Sequence, residues 1–151
     1  MTLLRVGDKA PEFSGIDQYG KIISLSQFNG RKLVLYFYPK DNTPGCTTEA
    51  CNLRDNYDEL LNKRYGVIGV SADSPASHLK FIQKFSLPFS LIADVDKKII
   101  KDYQVWGEKK MYGKTYDGIL RKTFVISEKG IIEKIIEKVK INEHSRQIFE
   151  D

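Results

Sequence analysis

The sequence predicts an α/β sandwich, on three observations. Two runs, Lys32-Leu33-Val34-Leu35-Tyr36-Phe37-Tyr38 and Val67-Ile68-Gly69-Val70-Ser71, are apolar along their length, as strands buried on both faces are. Between them, Ala50, Leu53, Tyr57, Leu60 and Leu61 recur at helical spacing. After the second run, Ser74-Pro75 supplies a capping hydroxyl and a first-turn proline, so a βαβ crossover with a following helix is expected.

The remaining elements follow in chain order. Asp17-Gln18-Tyr19-Gly20 is a turn, and residues 21–25 read as a short strand. Pro39 ends the first buried strand, and the loop Lys40-Asp41-Asn42-Thr43-Pro44-Gly45 opens a helix that places Cys46 in its first turn. The helix begun at Ser74 runs to about Phe85. Residues 89–93 read as a strand, 96–103 as a short helix, and 120–127 as a strand leading into the turn Glu128-Lys129-Gly130. In residues 131–139, Ile131, Ile132, Ile135, Ile136 and Val139 fit a helical period. Their β-branched side chains and the preceding turn favour the return strand of a hairpin, and strand is the reading. Residues 142–149 read as a closing helix.

No repeat, low-complexity tract or linker divides the chain, so a single domain over residues 1–151 is expected. Hydrophobic residues are 41% and charged residues 29%, a globular composition without the run of about 18 apolar residues that a membrane span needs. Asp8 comes too early for a secretory signal, so a soluble, cytoplasmic protein is expected. The net charge of +4 arises from 24 basic and 20 acidic residues that alternate, as in Glu133-Lys134 and Glu137-Lys138. Basic residues do not cluster around aromatic platforms, which argues against nucleic acid as a partner.

Two cysteines are too few for a disulfide scaffold, and cytosolic pairs are usually catalytic or redox-sensing. Cys46 follows Pro44-Gly45 at a helix start, where free N–H groups and the helix dipole favour thiolate over thiol. Such a thiolate attacks a peroxide to give a sulfenic acid. Cys51 lies five residues on, and regular helix geometry puts the two Cα atoms roughly 8.7 Å apart. A disulfide needs less than about 7 Å, so two helical cysteines here bond only if the first turns of the helix unwind. The plain alternative is a pair of inert buried thiols, which the Pro-Gly-Cys context disfavours. A zinc site is not expected, because His78 and His144 form no ligand spacing with the cysteines; both histidines are read as ordinary exposed helix residues.

With these residues assembled, the sequence resembles the peroxiredoxins, and within them the bacterioferritin comigratory protein or PrxQ subfamily. The motifs that carry the resemblance run nearly end to end. They are Gly7-Asp8-Lys9-Ala10-Pro11-Glu12-Phe13, Tyr36-Phe37-Tyr38-Pro39-Lys40, Thr43-Pro44-Gly45-Cys46-Thr47, Glu49-Ala50-Cys51, Leu53-Arg54-Asp55, Val105-Trp106-Gly107-Glu108-Lys109 and Gly113-Lys114-Thr115-Tyr116-Asp117-Gly118.

The resemblance implies a thioredoxin-like fold, a central mixed sheet flanked by helices with an N-terminal extension. It implies a thiol-dependent peroxidase of the atypical 2-Cys type, with Cys46 as peroxidatic and Cys51 as resolving cysteine, joined in an intramolecular Cys46–Cys51 disulfide. Thr43 would bond peroxide and thiolate, Pro39 and Pro44 would shield the thiolate, Arg121 would activate it, and Glu49 would orient Arg121. Hydrogen peroxide and organic hydroperoxides are the implied substrates and thioredoxin or a similar dithiol protein the reductant. A monomer is implied, with no cofactor. Two rivals use the same chain differently: a redox sensor that signals on oxidation, and a structural or chaperone-like protein for which Cys46 is dispensable.

Overall fold

In a computed structural model, which describes residues 2–150, five strands form a central mixed sheet. They are β3 (Lys32–Phe37), β4 (Tyr65–Ser71), β5 (Ser90–Ala93), β8 (Lys122–Ile126) and β9 (Ile132–Ile136), in the order β5-β4-β3-β8-β9. β3, β4 and β5 run parallel, while β8 adds antiparallel on the other side of β3 and β9 pairs antiparallel with β8. The β8–β9 hairpin bears out the strand reading of residues 131–139, because β-branched isoleucines suit a pleated surface that buries Ile132 and Ile136.

Alternation along β3 divides the core into two layers. Leu33, Leu35 and Phe37 face one side, where they meet Ala10 and Phe13 of the N-terminal segment, Ile23 and Leu25, and Ile99 and Ile100 of α4 (Lys98–Asp102). Val34, Tyr36 and Tyr38 face the other side. There they are covered by α1 (Pro44–Asp55), α2 (Tyr57–Asn62), α3 (Pro75–Phe85) and α5 (His144–Phe149), through Cys46, Ala50, Leu53, Leu60, Phe81 and Ile148. Cys46 therefore belongs to the wall of a packed layer. Gly69 of β4 lets the Tyr36 ring lie on the backbone, since a Cβ there would come within 2.8 Å of the ring.

The helix starts follow their sequence signals. Ser74 caps α3, its Oγ accepting the Ser77 N–H at 3.1 Å, and Pro75 takes the first helical position. The long helix expected after Cys46 is instead two helices. Asn56 turns its N–H to the Arg54 carbonyl, and its side-chain amide donates to the Asn52 carbonyl at 2.8 Å, taking the place of the missing backbone bond. Periodicity could not show this, since apolar residues continue across the break.

Two further regions depart from the sequence reading. The segment 21–25 is a strand, β2 (Ile22–Ser24), only in its middle, and it pairs with an unforeseen β1 (Ser14–Ile16) before a 3-10 turn at Leu25–Phe28. A hairpin of β6 (Trp106–Met111) and β7 (Lys114–Ile119) was also unforeseen. Its second strand is exposed over most of its length, so no apolar alternation marks it. Among the described residues, no helix is long and apolar enough to cross a membrane.

Candidate active site

The chain enters the site from β3. Tyr38 follows the strand, Pro39 is half-buried, and the loop then folds inward at Asp41, whose side chain is buried. Asp41 Oδ1 accepts the Tyr38 hydroxyl at 2.6 Å, and Oδ2 accepts the Ser77 hydroxyl at 2.8 Å and lies 2.7 Å from His78 Nδ1. The Asp41 N–H donates to Asp73 at 2.8 Å, and Asn42, in left-handed conformation, accepts from Lys84. These bonds bolt the loop to α3. Asp41, Asp73 and His78 lie close enough to suggest a metal site. Their facing atoms are already engaged by N–H and O–H groups of Asp41, Ser71, Ser77 and Tyr38, and the geometry is that of a tether.

Thr43 is the N-cap of α1 by position, with an extended backbone, but its hydroxyl donates to the Lys40 carbonyl at 2.9 Å and caps nothing. Pro44, exposed at the first helical position, has no N–H, and Thr47 is the first residue whose amide bonds back, to Thr43. The Gly45 and Cys46 amides therefore have no acceptor within the helix. Cys46 is 1% exposed and Cys51, on the same helix, is half-buried; both are free thiols.

Arg121, in the residue pair between β7 and β8, reaches across to this helix start. Its Nη2 donates to Cys46 Sγ at 3.3 Å and its Nη1 to Glu49 Oε1 at 2.5 Å. Gly45 makes room for it, because a Cβ on residue 45 would stand 3.3 Å from Nη2. Burial works against the guanidinium charge, but the Glu49 and Cys46 charges outweigh it and hold Arg121 above its ordinary value. Glu49 is pushed up to about 7, since burial outweighs the pull of Arg121. Lys109 of β6 is a second nearby cation, held below its ordinary value by burial and by repulsion from Arg121, while the Cys46 charge acts in the opposite sense.

A cysteine whose sulfur takes a guanidinium hydrogen bond, at a helix start with unpaired amides, is built to carry negative charge. The comparisons agree with that geometry. The AhpC/TSA family model matches residues 6–135. This chain is a peroxiredoxin of the AhpC/TSA family. It is 46% identical to a protein of Haemophilus influenzae described as a putative peroxiredoxin bcp, over 99% of this chain and 97% of that one. Among solved structures, a cysteine-to-serine mutant of Xylella fastidiosa PrxQ superposes with a TM-score of 0.91 at 32% identity, covering 98% of this chain and 94% of the other. A Xanthomonas campestris bacterioferritin comigratory protein, studied for alkyl peroxide reduction, superposes with a TM-score of 0.84 at 36% identity, covering 90% and 87%. The thioredoxin-like fold of this peroxiredoxin, of the bacterioferritin comigratory type, is thereby shown.

In this peroxiredoxin, Cys46, Arg121 and Glu49 are in direct contact, Thr43 and Pro39 belong to the loop that leads to them, and Cys51 sits one and a half turns along α1. The two histidines require correction. Both are fully buried, because each falls on the inner side of its helix and finds polar partners there: His78 at Asp41 and the Ile92 carbonyl, His144 at Thr123 and Gln147. Asp41, Lys109 and His144, which lie in or beside this cluster, are residues that sequence reasoning missed. The position of His78 and His144 on amphipathic helical faces was the one signal available.

Proposed function

We propose that the chain is a thiol-dependent peroxidase in which Cys46 is the nucleophile and Cys51 the resolving thiol. The observation that carries the reading is the contact of Arg121 Nη2 with Cys46 Sγ beside the unpaired helix amides. Donors fixed before reaction at the place where charge redistributes lower the barrier without reorganisation. The Cys46 thiolate attacks one oxygen of R–O–O–H, forms an S–O bond and breaks the O–O bond. The products are the Cys46 sulfenic acid and an alkoxide, which takes a proton to leave as alcohol, or as water when the substrate is hydrogen peroxide. Thr43 Oγ1, which donates to the Lys40 carbonyl, keeps its lone pairs for the peroxide O–H. The Cys46 N–H and Arg121 hold the oxygens, and Pro39 limits water at the loop.

Cys51 then condenses with the sulfenic acid, releasing water and forming an intramolecular disulfide. Since both cysteines are in α1, about 8.7 Å apart by helix geometry, α1 unwinds in that step. A dithiol protein such as thioredoxin reduces the disulfide by exchange, taking the oxidising equivalents away as its own disulfide. With both thiols in one chain, a monomer in a single domain suffices, and free thiols of this kind suit a reducing cytoplasm.

The test is consumption of hydrogen peroxide and of an organic hydroperoxide, with thioredoxin as reductant, by the wild type, Cys46→Ser and Cys51→Ser. Cys46→Ser is expected to be inactive. Cys51→Ser should reduce one equivalent and stop, and continued turnover by it would remove Cys51 from the resolving role. Oxidation of the wild type without recycling by any dithiol would favour the redox-sensor reading.

A further inference from the structure

Behind Arg121 lies a buried polar cluster that the reaction above does not use. Glu49 Oε2, on the side away from Arg121, is buried and has no hydrogen-bond partner; it stands 3.5 Å from His144 Nε2 of α5. His144 Nε2 is also 2.8 Å from the Thr123 hydroxyl of β8. On the other side of the ring, Nδ1 is 3.0 Å from Gln147 Oε1. That atom is an oxygen and not the amide nitrogen, because it accepts the Lys140 N–H at 2.9 Å while Gln147 Nε2 donates to the Lys138 carbonyl.

The tautomer follows. Facing an acceptor, Nδ1 carries a hydrogen, and in the neutral ring Nε2 is then a bare lone pair. Three acceptors, Glu49 Oε2, His144 Nε2 and Thr123 Oγ1, meet with only the threonine proton among them. A carboxylate oxygen would be left facing a nitrogen lone pair in a site closed to water. One further proton on Oε2 or Nε2 turns that repulsion into an attraction across the 3.5 Å gap.

We propose that His144 is a positioning residue of the peroxidase site: with Glu49 it holds one proton behind Arg121, so that the guanidinium charge is directed to the Cys46 sulfur. The proposal rests on the reading that Arg121 activates Cys46. With the proton present, the Glu49–His144 pair is neutral and does not compete with the sulfur for Arg121; without it, the pair is an anion in contact with Nη1. The other groups facing the pair are Tyr36 of β3, whose hydroxyl also has no partner, Thr123 of β8, and Gln147 of α5 itself. Burial directions agree: Glu49 is pushed up to about 7 and His144 down to about 4, so the extra proton resides on the carboxyl and leaves near neutrality. Because His144 belongs to α5, the device is complete only when that helix is docked.

The test uses the full chain carrying Cys51→Ser, so that each molecule reacts once, and follows the rate of Cys46 oxidation by hydrogen peroxide across neutral pH. The parent should show an inflection near pH 7 set by the Glu49–His144 pair. In His144→Phe this inflection should be lost or displaced by about one pH unit, tenfold in proton affinity. An unchanged profile overturns the proposal. Histidine nitrogen NMR of the unsubstituted chain supplies a measurement that needs no folded variant: His144 should hold its proton on Nδ1, and a ring protonated on Nε2 alone overturns the proposal. Arg121→Lys separates the two layers. If it slows oxidation while His144→Phe leaves the profile untouched, the proposal alone fails; if Arg121→Lys costs nothing, the activation reading fails as well.

Discussion

The side chain of Asn52 accepts the Ser145 N–H at 2.8 Å, and its amide donates to the Asn142 carbonyl at 3.1 Å. The residue after the proposed resolving cysteine therefore hydrogen-bonds α1 to the start of α5. Unwinding α1 to join Cys46 and Cys51 breaks both bonds, so the docking of α5 opposes disulfide formation. Asn52→Ala removes them, and the expected loss of stability is about 1 kcal/mol. If that loss falls on the folded thiol form, disulfide formation after a peroxide pulse should speed up about fivefold. Rapid quench with thiol labelling measures this, and a slower or unchanged rate would show that α5 does not restrain α1.

Gly45→Ala should separate helix stability from chemistry. Alanine favours α1 by roughly 0.5–1 kcal/mol over glycine. Its methyl group would stand 3.3 Å from Arg121 Nη2, tight enough to push the guanidinium a few tenths of an ångström off its place beside the sulfur. The variant is expected to melt no lower than the wild type yet to react with peroxide roughly tenfold more slowly or worse. A rate equal to the wild type would mean that the Arg121 position is not critical.

The Asp41 tether predicts a coupled loss. Asp41→Asn replaces one of the two acceptor oxygens that Tyr38, Ser77 and His78 share by an amide nitrogen in a fully buried place, at an expected cost of roughly 1–3 kcal/mol in urea unfolding. A second substitution, His78→Leu, should cost less in that background than alone, because the partner is already gone. Freed from the tether, the loop that holds Thr43 should bind peroxide more weakly, seen as a raised KM with hydrogen peroxide.

Glu49 and His144 predict opposing pH dependences of stability that largely offset each other in the wild type and separate in variants. Glu49 is raised from 4.5 to about 7, so the folded state binds more protons than the unfolded one, and this contribution to stability is lost as pH rises through that window. His144 is lowered from 6.5 to about 4, so its contribution is present above 6.5 and lost as pH falls toward 4. The two slopes oppose each other over much the same range. Glu49→Gln should expose the histidine slope, with stability rising from about pH 4 to 6.5, and His144→Phe the glutamate slope, with stability falling above 4.5 to an upper end displaced from the wild-type value of about 7. Chemical denaturation at several pH values would show both; parallel curves in all three proteins would contradict the burial of the pair.

How far these features could be read beforehand depends on whether the signal was local. Pro44-Gly45-Cys46 announces a helix start carrying a thiol, and the apolar run of β3 announces a buried strand, because both depend on neighbours in sequence. Arg121 was found only through the family resemblance, since nothing nearby in the chain distinguishes an arginine aimed at a helix 75 residues away from a surface charge. His144 escaped for a related reason: whether a histidine on a short helix faces inward is decided by what α1 and β8 offer opposite it. The β6–β7 hairpin escaped because a ribbon with little burial carries no alternating pattern. Geometry on a single helix was legible, and the unwinding requirement for Cys46 and Cys51 came from it.

The interruption at Asn56 gives that unwinding a limit. The backbone ladder of α1 ends there, while α2 is held separately by the buried Leu60 and by the Tyr57 ring against Phe89. Asn56 thus serves as a perforation, along which twelve residues can tear free while the next turn of chain stays in place. Each catalytic round would then melt about three helical turns and no more, and the intact remainder would be the mould on which they rewind.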